Sequence, residues 1–472
     1  MQQSIERPGQ GDPVRPVVVI GAGPVGLAAA ANLRAYDVPV LVLEAGDQVG
    51  AAVRAWGHVR TFTPWDLLVD PAADKLLAPT GWNRPTTDRL PTGAEIVRDY
   101  LEPLAAALGP VVVTGARVLG VSRAGLDKAR TPDRGTRPFV VRVQGVGTGE
   151  VTDLTARAVV DASGTWTRRN PLGRSGLPAL GEAEAVTAGR VVGALPDVLG
   201  ADRDQFAGRR TLVVGLGHSA ANTLLDLLRL AEEVAGTEVV WAVRRGDVQR
   251  LYGGERPDQL PARGRLGADL RAAVEGGRLE HRTGFGVTRL ELSPDGSTVT
   301  VVGGSGDADG GDGGERVVGL HQVVAATGFR PDLDLTAELR LDLDPGLEAP
   351  RQLAPLVDPA FHSCGTVPPH GHRELAHREE PGFWTVGTKS YGRAPTFLVA
   401  TGNEQVRSVA AAIAGDLAAA DDVRLVLPET GACQVPESRD LTLLADPTAA
   451  RGEVSVMEDC CDDLQGCETG CC

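Results

Sequence analysis

Two stretches of the chain put glycine where a backbone can close around a phosphate. In residues 17 to 28, VVVIGAGPVGLA, a β-branched apolar run breaks into Gly21, Gly23 and Gly26 and continues as an alanine-rich helical pattern to Arg34. That order predicts strand, tight turn and helix. Gly21 permits the turn, Gly23 lets the backbone approach a pyrophosphate, and Gly26 lets the helix pack on the strand, with the phosphate on the helix N-terminus. The next strand, VPVLVLEAG, ends at Glu44. An acid about twenty residues past the glycines is placed to accept hydrogen bonds from ribose hydroxyls.

The pattern recurs in residues 211 to 222, TLVVGLGHSAAN, with Gly215 and Gly217 in place and Ala220 at the third position. Its second strand, TEVVWAVRR, ends in Arg244 and Arg245 rather than an acid. A carboxylate there would repel a 2′-phosphate, whereas a guanidinium pairs with it bidentately. The second site should therefore prefer NADPH to NADH.

Each copy is closed by a similar phrase, RAVVDASGTW around Gly164 and HQVVAATGFRPD around Gly328. The repeat predicts an α/β fold of two Rossmann-like dinucleotide-binding domains, the NADPH domain inserted in a discontinuous FAD domain. The expected divisions are an FAD domain over residues 14–165 and 323–425, an NADPH domain over 166–322, and a C-terminal extension over 426–472 with a disordered, cysteine-rich tail. GGSGDADGGDGG, residues 303 to 314, lies between STVTVV and ERVVGL and is expected to be a hairpin tip or flexible loop.

Composition narrows the partners. The formal charge is −15, and Lys occurs only at Lys75, Lys128 and Lys389, so no basic stripe is available for nucleic acid or an anionic membrane. No run approaches the roughly 20 apolar residues of a membrane span, and the first residues carry no apolar signal core, so a cytoplasmic location is expected. A reducing compartment also argues against a disulfide framework for the cysteines.

The two glycine motifs, the EAGDQVG…AW segment after Glu44, GLGHSA before the arginines and ATGF after them resemble the two-dinucleotide-binding flavoproteins, in particular flavin-containing monooxygenases. The resemblance covers about residues 15 to 420. It implies FAD on Gly21, Gly23, Gly26, Glu44, Trp56 and Gly164, and NADPH on Gly215, Gly217, Ser219, Ala220, Arg244, Arg245 and Gly328. FWTVGTKSYGRAPTFLVATGNEQ resembles the region where such proteins bring a helix N-terminus to the flavin. Gly387 fits that region, with Thr388 where Asp is usual and a helix expected to start near Pro395 and Thr396. Lys389, Tyr391 and Arg393, just before that helix, are the candidates for a substrate or nicotinamide pocket.

No cysteine precedes Cys364, so the proximal cysteine pair of related disulfide reductases is missing. The Phe, Gly and His fingerprint of the monooxygenases ahead of the second glycine motif is missing too. FHSCGTVPPHGHRELAH, KSYGRAPTF and the terminal cysteines resemble flavoprotein monooxygenases of arsenic-resistance operons. The implied reaction is NADPH-dependent oxygenation by O2 of a soft nucleophilic atom, sulfur or trivalent arsenic. The alternatives are an NADPH oxidase or reductase of a thiophilic metal or metalloid, or a flavin-containing metalloid-binding protein.

The last sixteen residues, MEDCCDDLQGCETGCC, carry Cys460, Cys461, Cys467, Cys471 and Cys472 among acids. Thiolates suit soft ions, and the adjacent carboxylates disfavour the thiolate until a metal displaces its proton. Soft-metal or metalloid capture, redox exchange with a flavin and an inert tail are the three readings of this arm.

Overall fold

The computed structural model describes residues 15–86, 89–244, 252, 259–304, 314–362, 367–395 and 397–427. All of them fall within one compact unit, Met1–Cys433. The expectations for Arg245, Thr396, Cys364 and the five tail cysteines lie outside the described residues.

In chain order the strands are β1 (Val17–Ile20), β2 (Val40–Leu43), β3 (Val112–Val113), β4 (Ala116–Arg123), β5 (Phe139–Gly145), β6 (Val151–Ala156), β7 (Ala158–Asp161) and β8 (Val191–Val192). They continue as β9 (Arg210–Val214), β10 (Glu238–Val243), β11 (Glu280–Thr283), β12 (Gly286–Leu292), β13 (Val299–Gly304), β14 (Glu315–Leu320), β15 (Gln322–Ala325) and β16 (Phe383–Thr385). Three helices matter most for the site: α1 (Pro24–Ala35), α2 (His218–Glu233) and α3 (Val399–Ala414).

The strands build the same object twice. One parallel sheet runs β16-β7-β1-β2-β3 and the other β8-β15-β9-β10-β11, so β1 and β9 hold equivalent central places. Each is accompanied by an antiparallel three-stranded sheet, β4-β5-β6 in the first fold and β12-β13-β14 in the second. The expected hairpin at residues 303–314 is borne out by the antiparallel pairing of β13 with β14, while residues 305–313 lie outside the described residues.

The apolar runs are explained by burial on both faces. Val17 and Val19 of β1 pack toward α1 and α3, and Val18 and Ile20 pack toward the β4–β5 layer. In β9, Val213 faces the core that holds α2, while Leu212 and Val214 join the core with β12 to β14. Alternate side chains thus meet two different layers, so neither face tolerates polarity.

Two expected boundaries move. The division at 322/323 falls inside β15, which pairs with β9 and β8 of the second sheet, so the chain leaves that sheet only after Ala325. Near Pro395 there is no helix start: Leu398 stays extended at φ −113° and ψ 145°, and α3 begins at Val399. Phe397 and Leu398 are used to line a cavity instead.

Candidate functional site

The first glycine turn is a close fit between backbones. Gly21 has φ +98°, and a Cβ there would lie 2.8 Å from the Ala162 carbonyl oxygen; a Cβ at Gly26 would lie 1.9 Å from the Gly21 oxygen. Gly23, the N-cap of α1, has nothing within 4 Å of the place its Cβ would take. No side chain caps that helix and no acid lies in its first turn, so its N–H groups and positive end are available to an anion. The Glu44 carboxylate is oriented by accepting the Ala22 N–H at 2.7 Å and the Gly46 N–H at 2.8 Å.

The second turn repeats this with a shift in its tight spot. A Cβ at Gly215, φ +148°, would lie 2.1 Å from the Ala326 oxygen, while Gly217 faces open space at the start of α2. That start also has no side-chain cap and no acid in its first turn. Ala220 is fully buried. Trp241 Nε1 donates to the Gly215 oxygen at 2.8 Å, bracing the turn from β10. At the end of β10, Arg244 Nη1 donates to the Arg174 carbonyl at 2.9 Å. Both turns therefore fit a pyrophosphate, by an observation independent of their sequence pattern: open space in front of an uncapped helix end.

Between the two turns lies an apolar cavity of about 260 Å³. The first fold supplies Pro24, Val53, Trp56, the segment from Val59 to Thr63, Leu68, Ile96, Tyr100 and the segment from Phe397 to Val399. The second supplies Leu195, His218, Ser219 and Asn222. Phe62 and His218 meet at 5.0 Å between ring centroids, joining the two walls. Tyr100 is held protonated by burial and accepts the Asp70 N–H at 3.1 Å. Asp70 itself caps the helix Pro71–Leu77, and burial pushes its carboxyl up to about 6.

The three pocket candidates sit elsewhere. Lys389 is buried, its Nζ donating to Asp161 Oδ2 at 2.6 Å and to Ser163 Oγ at 3.1 Å. Tyr391 is buried edge-on against Phe397, with centroids 5.2 Å apart. Arg393 pairs with Glu348 at 2.9 Å on the surface. None of the three lines the cavity. For Lys389 and Tyr391 the reason is local: Gly387 to Tyr391 form a tight turn whose amide at Gly387 donates to Gln405 Oε1 of α3, and this draws their side chains into the core. Gly387, φ +69°, packs on Val25 at the start of α1.

Among the histidines, His370 Nε2 lies 3.1 Å from Gln405, His372 Nδ1 lies 3.2 Å from Ser408, and His377 Nδ1 accepts the Asp342 N–H. Burial lowers His377 to about 4. Asp161 was missed by sequence reasoning, although a carboxylate ending the apolar run AVVD is an audible signal. For Phe62, Tyr100 and Leu195 no local pattern marks a role; only the tertiary fold brings them together.

Two parallel sheets, each with a glycine turn leading into an uncapped helix, define the class: an α/β fold with parallel sheets and a Rossmann-like domain. Residues 19–77 match the family model of the NAD(P)-binding Rossmann-like domain. The chain is 34% identical over 213 residues to indole-3-pyruvate monooxygenase YUCCA1 of Oryza sativa subsp. japonica, a match spanning 45% of each protein and so less than half of that relative's length. Its fold is similar to bacillithiol disulfide reductase Bdr (YpdA) from Bacillus cereus, with a TM-score of 0.61, 18% identity and coverage of 85% of this chain and 99% of that one. It is also similar to the FAD-bound cadaverine monooxygenase DfoA from Erwinia amylovora, with a TM-score of 0.58, 14% identity and coverage of 89% and 99%.

Proposed function

We propose that this chain is an FAD- and NADPH-dependent oxidoreductase, a monooxygenase acting on a small-molecule substrate at a soft nucleophilic atom. The observation that carries the reading is the convergence of both glycine turns on one cavity, through Pro24 at the start of α1 and His218 and Ser219 at the start of α2. Similarity to an indole-3-pyruvate monooxygenase over 213 residues and the fold shared with an FAD-bound monooxygenase support it.

In this reading the first fold holds FAD through Gly21, Gly23, Gly26, Glu44, Trp56 and Gly164, and the second holds NADPH through Gly215, Gly217, Ser219, Ala220, Arg244, Arg245 and Gly328. When bound, FAD supplies hydride acceptance from NADPH and the activation of O2. The chain's own part is positional. The apolar walls exclude water, Glu44 orients a ribose, and Arg244, from the end of β10, meets the 2′-phosphate. Lys389 becomes a positioning residue: its ion pair holds Asp161 and Ser163, and with them the turn that approaches Gly21.

Sulfur or trivalent arsenic is the soft atom we favour, and the cysteine-rich arm, residues 457–472, would deliver or capture a thiophilic ion in a reducing cytoplasm. Support for the arm is its ligand chemistry alone. The test is NADPH oxidation with oxygen uptake and peroxide followed together, across thiols, sulfides, amines, ketones and arsenite, for the full chain and one ending at residue 455. The reading predicts substrate-stimulated turnover without matching peroxide, and loss of arsenite stimulation alone in the shortened chain. Peroxide equal to the NADPH consumed, whatever the substrate, would make the protein an oxidase instead.

A further inference from the structure

Leu195 carries backbone strain at the cavity wall. Its φ is +59°, in the left-handed region that L residues with a Cβ enter at a steric cost. Of the other non-glycine residues with positive φ, Asp37 and Asp133 have the short polar side chains that tolerate this region, and Glu348 is tied by its ion pair to Arg393. Leu195 has neither compensation.

What holds it is the turn that follows. The Asp197 N–H donates to Asp202 Oδ2 at 2.8 Å, the Asp202 N–H returns to the Asp197 oxygen at 3.0 Å, and Val198 is buried in the core of the second fold with Phe206. The segment is fixed just after Leu195, so the strain stays at Leu195. Strained residues of this kind persist where surrounding structure over-determines them, and they gather at ligand clamps. Beside His218, Ser219 and Asn222, Leu195 is also the apolar residue that the second fold contributes to the cavity lining.

From this we infer that Leu195 is a specificity-determining residue, an apolar stop from the second fold that sets the size of substrate the cavity admits. The inference rests on the cavity being the substrate site of the flavoenzyme proposed above. It adds the selected property: a compact apolar group carried next to the reacting atom.

The experiment uses the full chain loaded with FAD, the variants Leu195→Gly and Leu195→Ala, and two ligands, methyl phenyl sulfide and the larger methyl 2-naphthyl sulfide. Dissociation constants are read from perturbation of the bound flavin's visible absorption, without NADPH. Both variants should shift the ratio of constants about tenfold toward the larger sulfide, the scale on which a few carbons change apolar recognition. Leu195→Gly should also melt higher than Leu195→Ala, because glycine accepts a positive φ without strain. An unchanged ratio in both variants, no perturbation by either sulfide, or a shift confined to the glycine variant would overturn the inference. Sulfides that bind to the unsubstituted protein but never stimulate its NADPH oxidation would instead sink the proposed reaction and leave the role of Leu195 standing.

Discussion

The two parallel-sheet folds share one construction and differ in how the central turn is anchored. In the first, β7 ends at Asp161, opposite Ile20 of β1, and Lys389 meets its carboxylate with both side chains essentially inaccessible. In the second, Ala325 holds the equivalent place opposite Val214, and the turn is tied by neutral bonds instead: Thr327 Oγ1 donates to the Asn170 oxygen at 2.6 Å and Asn170 Nδ2 to the Thr327 oxygen at 3.1 Å. The steric pinch differs as well. A Cβ at Gly26 would strike the Gly21 oxygen at 1.9 Å, whereas the matching residue of the second fold is already Ala220. One geometry is thus reached by a charged, exacting route and by a neutral, tolerant one.

The sharpest way to break this contrast is to remove half of the buried pair. Lys389→Met leaves the buried Asp161 carboxylate without its counter-charge, with only the Ser163 hydrogen bonds to it, and should lower unfolding free energy by about 3–5 kcal/mol in urea denaturation. The double variant Lys389→Met with Asp161→Ala makes the first turn neutral like the second, and it should recover most of that loss. If single and double variants are equally destabilised, the anchoring is not what distinguishes the folds.

Titration gives a somewhat smaller effect, on the first-fold side. Asp70, raised to about 6 from an ordinary 3.8, binds its proton more tightly when folded, so its contribution to stability falls as pH rises between those values. His377, lowered to about 4 from 6.5, stays neutral when folded, so its contribution is present above 6.5 and lost as pH falls toward 4. The two slopes oppose each other. Asp70→Asn, which keeps an N-cap, should expose a rise in stability of about 3 kcal/mol from pH 4 to 6.5. His377→Gln should expose the reverse slope, and unchanged profiles in both would contradict these assignments.

The glycine pinch comes next. Gly26→Ala should cost about 1–3 kcal/mol by overpacking and weaken flavin retention, read by the FAD content of purified protein. Ala220→Gly in the second fold should cost only about 1 kcal/mol of helix propensity and leave FAD content unchanged. Equal effects at the two positions would erase the distinction drawn from the geometry.

Much of this architecture is legible in the sequence because it is local. The turns at Gly21 and Gly215 and the residues ending β2 and β10 follow from glycine spacing and apolar runs within about thirty residues, the scale of one βαβ unit. What is not legible depends on contacts between distant segments. Lys389 lies near α3 in the chain, which is what its local sequence expresses, but its partner Asp161 is 228 positions away. Leu195, Phe62 and Tyr100 come from three unrelated segments and meet only when both folds are assembled. The start of α3 shifted from Pro395 to Val399 because the cavity claims Phe397 and Leu398, a tertiary demand that the local preference of proline for helix starts does not express.

The central claim, that one fold holds FAD and the other presents NADPH to it, is tested most directly by anaerobic mixing of the FAD-loaded protein with NADPH or NADH while flavin absorbance is followed. Bleaching of the bound flavin by NADPH in preference to NADH is expected, with Arg244→Ala removing most of that preference, about tenfold or more for a lost charge-assisted pair. A flavin that stays oxidised in the presence of NADPH, or a preference untouched in Arg244→Ala, would contradict it.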